Sequence, residues 1–160
     1  MEPRIIYGAY PEVATKAEEE ASILKSLADS YLYKDMLVLE QIIKARKIFF
    51  FDTGIRDAVI NNFNPSYLRN DLGALWENYG ITERMKYRQQ HSIYANIFSW
   101  RTHTKLEIDY IEERGGKLFG YEFKQQGKMR KATRREFIAT YPNAELQTIT
   151  LDNFESFLVD

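Results

Sequence analysis

Gly115-Gly116, set between Arg114 and Lys117, constrains this chain more than any other pair of residues. Two adjacent glycines supply the positive φ angles that a tight hairpin turn needs. The flanking stretches, Leu106–Glu113 and Lys117–Lys124, carry the aromatic and branched residues of strands, so an antiparallel pair is predicted. A two-residue loop then fixes the register. Arg114 faces Lys117, Tyr110 faces Tyr121, Ile108 faces Phe123, Asp109 faces Glu122 and Glu107 faces Lys124. On this count Ile108, Tyr110, Tyr121 and Phe123 form one apolar side. Glu107, Asp109, Glu122 and Lys124 share the other.

Two carboxylates directly opposite on one sheet face repel each other. Ionisation of only one, a basic neighbour or a bound cation would offset that. Mg²⁺ and Mn²⁺ prefer oxygen ligands, and Mg²⁺ often uses one or two carboxylates with waters and substrate phosphates. Lys124 shares the face and could orient a water or stabilise charge on a phosphate. Glu77, on the preceding helix, is a third candidate carboxylate. The plainer reading is a solvated face, with Glu107–Lys124 as a cross-strand ion pair, and periodicity alone favours it.

Around the hairpin, hydrophobic spacing predicts an α/β chain with a mixed sheet. Residues 1–16 read as irregular, with a turn at Tyr10-Pro11-Glu12. A helix starts near Ala17 and continues, with a break near Tyr33–Asp35, to about Ile43. Lys47–Phe51 reads as a short buried strand. Asp52 or Thr53 caps a helix running to Ile60, and Asn61–Ser66 is a loop. A helix from about Asn70 to Arg88 precedes three antiparallel strands at Ile93–Arg101, Leu106–Glu113 and Lys117–Lys124. Then come a basic helix (Arg130–Thr140), a strand able to lie parallel (Glu145–Ile149) and a closing helix capped near Asp152. The division expected is a helical extension over 1–45 and one domain over 46–160.

Charge and composition narrow the function classes. Lys and Arg total 22 against 23 Asp and Glu, which excludes a uniformly basic nucleic-acid coat. With no cysteine there is neither a disulfide nor a thiolate site. No apolar run approaches the ~20 residues of a membrane span, and the N-terminus lacks a signal-peptide pattern, so a cytoplasmic protein is expected. The charge is unevenly spread. Lys124, Lys128, Arg130, Lys131, Arg134 and Arg135 fall within twelve residues that include no acid. Beside an acidic pair, that run suits phosphate contacts, and its plain alternative is a solvated helix face. Trp76 and Trp100 sit in amphipathic elements and read as core. His91 and His103 lie near element ends, with His103 the better functional candidate.

Asp109, twelve residues, then Glu122-Phe123-Lys124 resembles the D…ExK signature of the PD-(D/E)XK nuclease superfamily. That resemblance implies a restriction-endonuclease-like core: helix, three-stranded antiparallel meander, helix, parallel strand. Family members often add a Glu on the first helix, which Glu77 matches. A closer resemblance rests on Phe50–Arg56, Leu72–Asn78, Trp100–Thr102, Glu107–Asp109 and Tyr121–Lys124. Tyr10–Val13 and Ser30–Asp35 add to it. These segments are similar to a C-terminal domain of unknown function, number 4143, found in prokaryotic proteins predicted to be AAA-type ATPases. Here no GxxxxGK[ST] loop is present, so no ATP site is carried over. The winged-helix segment usual before Phe50–Gly54 is also missing.

The expected function is therefore metal-dependent hydrolysis or binding of nucleic acid. Asp109, Glu122 and Glu77 would hold Mg²⁺ or Mn²⁺, Lys124 would assist, and Lys128, Arg130, Lys131, Arg134 and Arg135 would hold the backbone. The alternative is an inactive accessory or docking domain. Nucleic acid and a second copy of the chain are the partners this reading allows; a membrane is not.

Overall fold

The computed structural model describes residues 2–8, 20–27 and 49–159, which fall into two compact units, Met1–Thr82 and Glu83–Asp160. The expected boundary at residue 45 lies outside the described residues. So do the turn at Tyr10–Glu12, the helical run from Tyr31 to Ile43 and the start of the expected strand at Lys47.

In the first unit, helices α1 (Glu2–Tyr7), α2 (Glu20–Leu27) and α3 (Thr53–Val59) surround Leu24 and Ala58. Residues 2–7 are thus helical where an irregular start is expected. The Asp52 side chain caps α3, accepting from Ile55 N at 3.1 Å, as the sequence predicts. Gly54 is required by close approach, since a Cβ there would overlap the Tyr7 carbonyl. Phe49–Phe51 is not a strand, and Phe51 is 54% exposed. The main-chain N and O of Phe50 are instead met by the Asn78 side chain at 2.7 and 2.8 Å. This long-range contact satisfies the backbone as a strand neighbour would.

Arg69 organises the connection that follows. Its guanidinium donates to both oxygens of Asp57, at 2.7 and 2.9 Å, and to both oxygens of Asp71, at 2.9 Å each. Arg56 adds bonds to the same two acids. The loop that composition predicts at 61–66 is therefore anchored by planar, bidentate pairing. Helix α4 (Leu72–Gln90) follows, and the division between the units falls within it. Of the apolar stripe that helical spacing predicts here, Leu75, Trp76 and Tyr79 are buried and Leu72 is half-buried.

The second unit is built on a four-stranded sheet in the order β1 (Asn96–Arg101), β2 (Glu107–Arg114), β3 (Lys117–Phe123), β4 (Glu145–Ile149). The first three strands run antiparallel, and β4 lies parallel to β3 after helix α5 (Lys131–Thr140). Helix α6 (Phe154–Val159) closes the chain two residues beyond the expected Asp152 cap. Gly115 and Gly116 both have positive φ, and Arg114 pairs with Lys117 and Tyr110 with Tyr121, as the turn predicts.

The expected division into one apolar and one polar side does not hold. Both faces of the sheet are covered. Ile108 and Ile111 pack with Phe137 of α5, while Tyr121 and Phe123 pack edge-on against Phe157 of α6. The cause is a β-bulge. Phe98 pairs with Ile111 and Trp100 with Ile108, so Asp109 and Tyr110 together oppose Ser99. The extra residue reverses the alternation and carries Ile108 to the face opposite Phe123.

A buried charge cluster holds the α6 side of this sheet. Arg84 donates from Nε and from a terminal nitrogen to the two oxygens of Glu112, both at 3.0 Å. Its other terminal nitrogen donates to the Phe157 and Leu158 carbonyls at 3.0 and 2.7 Å. Tyr110 Oη donates to Glu112 at 3.0 Å, and Arg88 donates to Tyr110 Oη, also at 3.0 Å. Burial pushes the Glu112 carboxyl upward, but Arg84, Tyr110 and Arg88 more than offset it and hold it below its ordinary 4.5.

Two outcomes follow. Gly54→Ala should cost about 1–3 kcal/mol through overpacking against α1, read as a lowered melting temperature. Glu112→Gln should cost about 3–5 kcal/mol at neutral pH, because it leaves buried guanidinium groups without their counter-charge. With a depressed folded pKa, the unfolded chain takes up the proton more readily. Glu112's contribution is therefore complete above pH 4.5 and is lost as pH falls through the lower folded value. Urea titrations across that range should show wild type and variant converging in acid.

Candidate metal centre

The acidic pair stands where the β2–β3 ladder ends. The paired residues run from Arg114 and Lys117 to Tyr110 and Tyr121, and the next residues along are Asp109 and Glu122. Each is 8% exposed. The β3–β4 ladder continues further, to Phe123 and Ile149. The Phe123 N–H donates to Asp109 Oδ2 at 3.0 Å, so a side chain closes the position that β2 backbone has vacated. That bond fixes the carboxylate's orientation.

Glu122 is held differently. Its Oε1 pairs with Lys124 Nζ at 2.9 Å, whereas Oε2 is buried and has no hydrogen-bond partner among the described residues. The ion pair replaces the expected Glu107–Lys124 contact. Glu107 faces Arg101 instead, at 3.8 Å, on the exposed edge of β1. Lys124 itself is fixed through its main chain, which donates to the Ile149 carbonyl at 2.9 Å. An unmet buried carboxylate oxygen is costly unless something else meets it.

Glu77 lies half-buried on the part of α4 that belongs to the first unit, and it is described with that unit. Among the described residues, no group of three His, Asp or Glu side chains gathers as a metal cluster. Asp109 and Glu122 follow the last paired residues of β2 and β3, and the Asp109 side chain reaches the main chain of Phe123, the residue after Glu122.

Lys128, Arg130, Lys131, Arg134 and Arg135 are all exposed. Arg130 precedes α5 without a side-chain cap, and the first turn of α5 has no acidic residue. Cations at a helix N-terminus oppose the macrodipole, at roughly 0.3–1 kcal/mol each, and an anion there reverses the sign. Trp76 is buried, and Trp100, half-buried, packs edge-on against the core residue Phe137 with centroids 5.2 Å apart. His91 and His103 are exposed, and His91 Nδ1 lies 2.8 Å from the Tyr87 carbonyl.

Sequence reasoning missed Thr148. It is the β4 partner of Glu122, and its hydroxyl accepts from Met129 N at 2.8 Å. It missed the Arg84–Glu112 cluster as well. Helical spacing places Arg84 and Arg88 on one face of α4, and alternation along β2 places Glu112 on the face of Tyr110, but nothing in the sequence pairs these two faces.

Residues 72–155 match the family model described as "Domain of unknown function (DUF4143)". No curated protein and no solved structure matches the chain. Among the described residues, no helix is long and apolar enough to cross a membrane.

The two carboxylates should separate function from stability. Glu122→Gln should leave the unfolding free energy within about 1 kcal/mol of wild type or raise it, because one buried oxygen is unmet in the parent. Asp109→Ala, which strands the Phe123 N–H, should cost about 1–3 kcal/mol. Chemical denaturation of both variants checks the contrast.

Proposed function

We propose that this chain, which belongs to the DUF4143 family, carries a metal-dependent phosphodiesterase site of the PD-(D/E)XK kind on a restriction-endonuclease-like core. The observation that carries the reading is the buried, unpartnered Oε2 of Glu122 beside Asp109. An all-oxygen pair suits Mg²⁺ or Mn²⁺, which complete their shells with water and substrate oxygens. Asp109 and Glu122 would hold the cation, with Glu77 as the further carboxylate that the sequence suggests.

A divalent cation so held supplies charge neutralisation at a scissile phosphate and acidifies a water. The remaining roles fall to the chain itself. Asp109 is oriented by the Phe123 N–H. Lys124, already within 2.9 Å of Glu122, would donate to the attacking water or to a phosphate oxygen. Lys128, Arg130, Lys131, Arg134 and Arg135 would hold the nucleic-acid backbone.

A second reading draws on the same ion pair. Lys124 already neutralises one oxygen of Glu122, so the pair can persist without a cation in an accessory domain that binds nucleic acid or protein but does not cut.

Incubation of the protein with single- and double-stranded DNA and RNA in Mg²⁺ or Mn²⁺ tests both readings. Cleavage of at least one substrate is expected, with a loss of at least ~100-fold in Asp109→Ala, the scale for removing an electrostatic stabiliser. Absence of cleavage throughout, with binding retained in EDTA, favours the accessory role. Cleavage that survives Asp109→Ala overturns the site.

A further inference from the structure

The segment joining β3 to α5 is clamped at both ends. At its start, Lys124 N donates to the Ile149 carbonyl at 2.9 Å. At its end, Met129 N donates to Thr148 Oγ1 at 2.8 Å. Thr148 and Ile149 are the β4 partners of Glu122 and Phe123. Both clamps therefore stand at the carboxyl ends of two parallel strands, beside the acidic pair. Between them, Gln125, Gln126, Gly127 and Lys128 are exposed, and Gly127 adopts φ +95°. Thr148 is itself held, because its carbonyl accepts from Asn153 Nδ2 at 2.9 Å.

We infer that Thr148 is a positioning residue, whose hydroxyl fixes the Gln125–Arg130 loop as a phosphate-backbone clamp beside Asp109 and Glu122. The inference rests on the nuclease-like reading above and adds to it the residue that sets substrate grip. The chemistry is specific to the hydroxyl. Loss of Oγ1 strands the Met129 N–H and frees the loop's far end, so Lys128 and Arg130 no longer meet the backbone at a fixed distance from the carboxylates. Ordering the loop at the moment of binding then costs entropy that the native clamp has already met.

Thr148→Val keeps the shape of the side chain and removes the acceptor, while Thr148→Ser keeps the acceptor. Gly127→Ala is an independent probe. A Cβ there meets nothing within 4 Å, so its effect is confined to the positive φ. Binding to fluorescein-labelled single-stranded and duplex DNA and RNA is read by anisotropy over a salt series in EDTA. Mn²⁺ binding is read separately by calorimetry.

Thr148→Val and Gly127→Ala should each weaken nucleic-acid binding by about tenfold and flatten the log K against log salt slope by about one to two. Mn²⁺ affinity should be unchanged, and Thr148→Ser should restore both the affinity and the slope. Wild-type slope and affinity in Thr148→Val would overturn the inference. So would failure of serine to rescue, or loss of Mn²⁺ affinity in parallel, which marks collapse of the whole site. If the wild-type chain binds Mn²⁺ but no nucleic acid, the clamp fails while the metal site stands. If it binds neither, the underlying reading fails and takes the clamp with it.

Discussion

Glu112 is the charge on which the second unit depends. It is fully buried, and an isolated carboxylate there would be prohibitive. Arg84 meets both of its oxygens and also takes up two α6 carbonyls, so one guanidinium ties α4, β2 and α6 together. Helix ends leave carbonyls without intrahelical partners, and here an arginine from another helix satisfies them. Arg88 and Arg114 also approach Glu112, giving three guanidinium groups around one acid. The excess positive charge is spread over carbonyls, over the Tyr110 and Tyr121 hydroxyls and over the rings of Phe157 and Phe119. Such a network adds less net stability than an apolar core of equal volume, but breaking it is expensive. Each of its hydrogen bonds depends on the present placement of β2.

That placement determines where Asp109 lies. Strict alternation would put Ile108, Tyr110 and Glu112 on one face and Asp109 and Ile111 on the other. Ile108 would then crowd the charge cluster, and Asp109 would enter the apolar layer against Phe137. The bulge opposite Ser99 resolves both conflicts with one extra residue. Ile108 and Ile111 share the α5 layer, Tyr110 and Glu112 share the arginine cluster, and Asp109 occupies the switch. A carboxylate at a bulge is aimed along the sheet rather than away from it, so it can reach the Phe123 amide.

These relations explain which parts of the fold could be read in the sequence. The Gly115-Gly116 turn sets the pairs Arg114–Lys117 and Tyr110–Tyr121 through local backbone geometry, which needs no tertiary information. The order of elements from α4 to α6 is carried by changes in hydrophobic period. The bulge carries no such mark, because nothing about Asp109 or Tyr110 alone announces it. Alternation also misleads in a strand covered on both faces, where a charged residue is as well buried as its neighbours. Phe49–Phe51 misleads for another reason. An apolar run bounded by charges reads as a strand, but the partner of Phe50 is the side chain of Asn78, 28 residues away.

The turn sets the register only as far as Tyr110 and Tyr121, one step short of Asp109 and Glu122, and the Lys124 partner it predicts, Glu107, is replaced by Glu122. The electrostatic state of the acidic pair was not legible either, and there the contrast with Glu112 is informative. Both carboxylates are buried on one antiparallel pair of strands. Glu112 has every oxygen met by donors from its own unit, which is the condition of a structural charge. Glu122 has one oxygen met by Lys124 and one met by nothing among the described residues. Native folds leave few buried polar atoms unmet; among the described residues this oxygen shares that state only with Arg88 Nε and Arg114 Nε, which both face Glu112. Lys124 reaches Oε1 but not Oε2, so the pair keeps an open acceptor on the side away from its cation. That open acceptor is the feature on which the proposed cation site rests, and it is what distinguishes Glu122 from the closed, structural charge of Glu112.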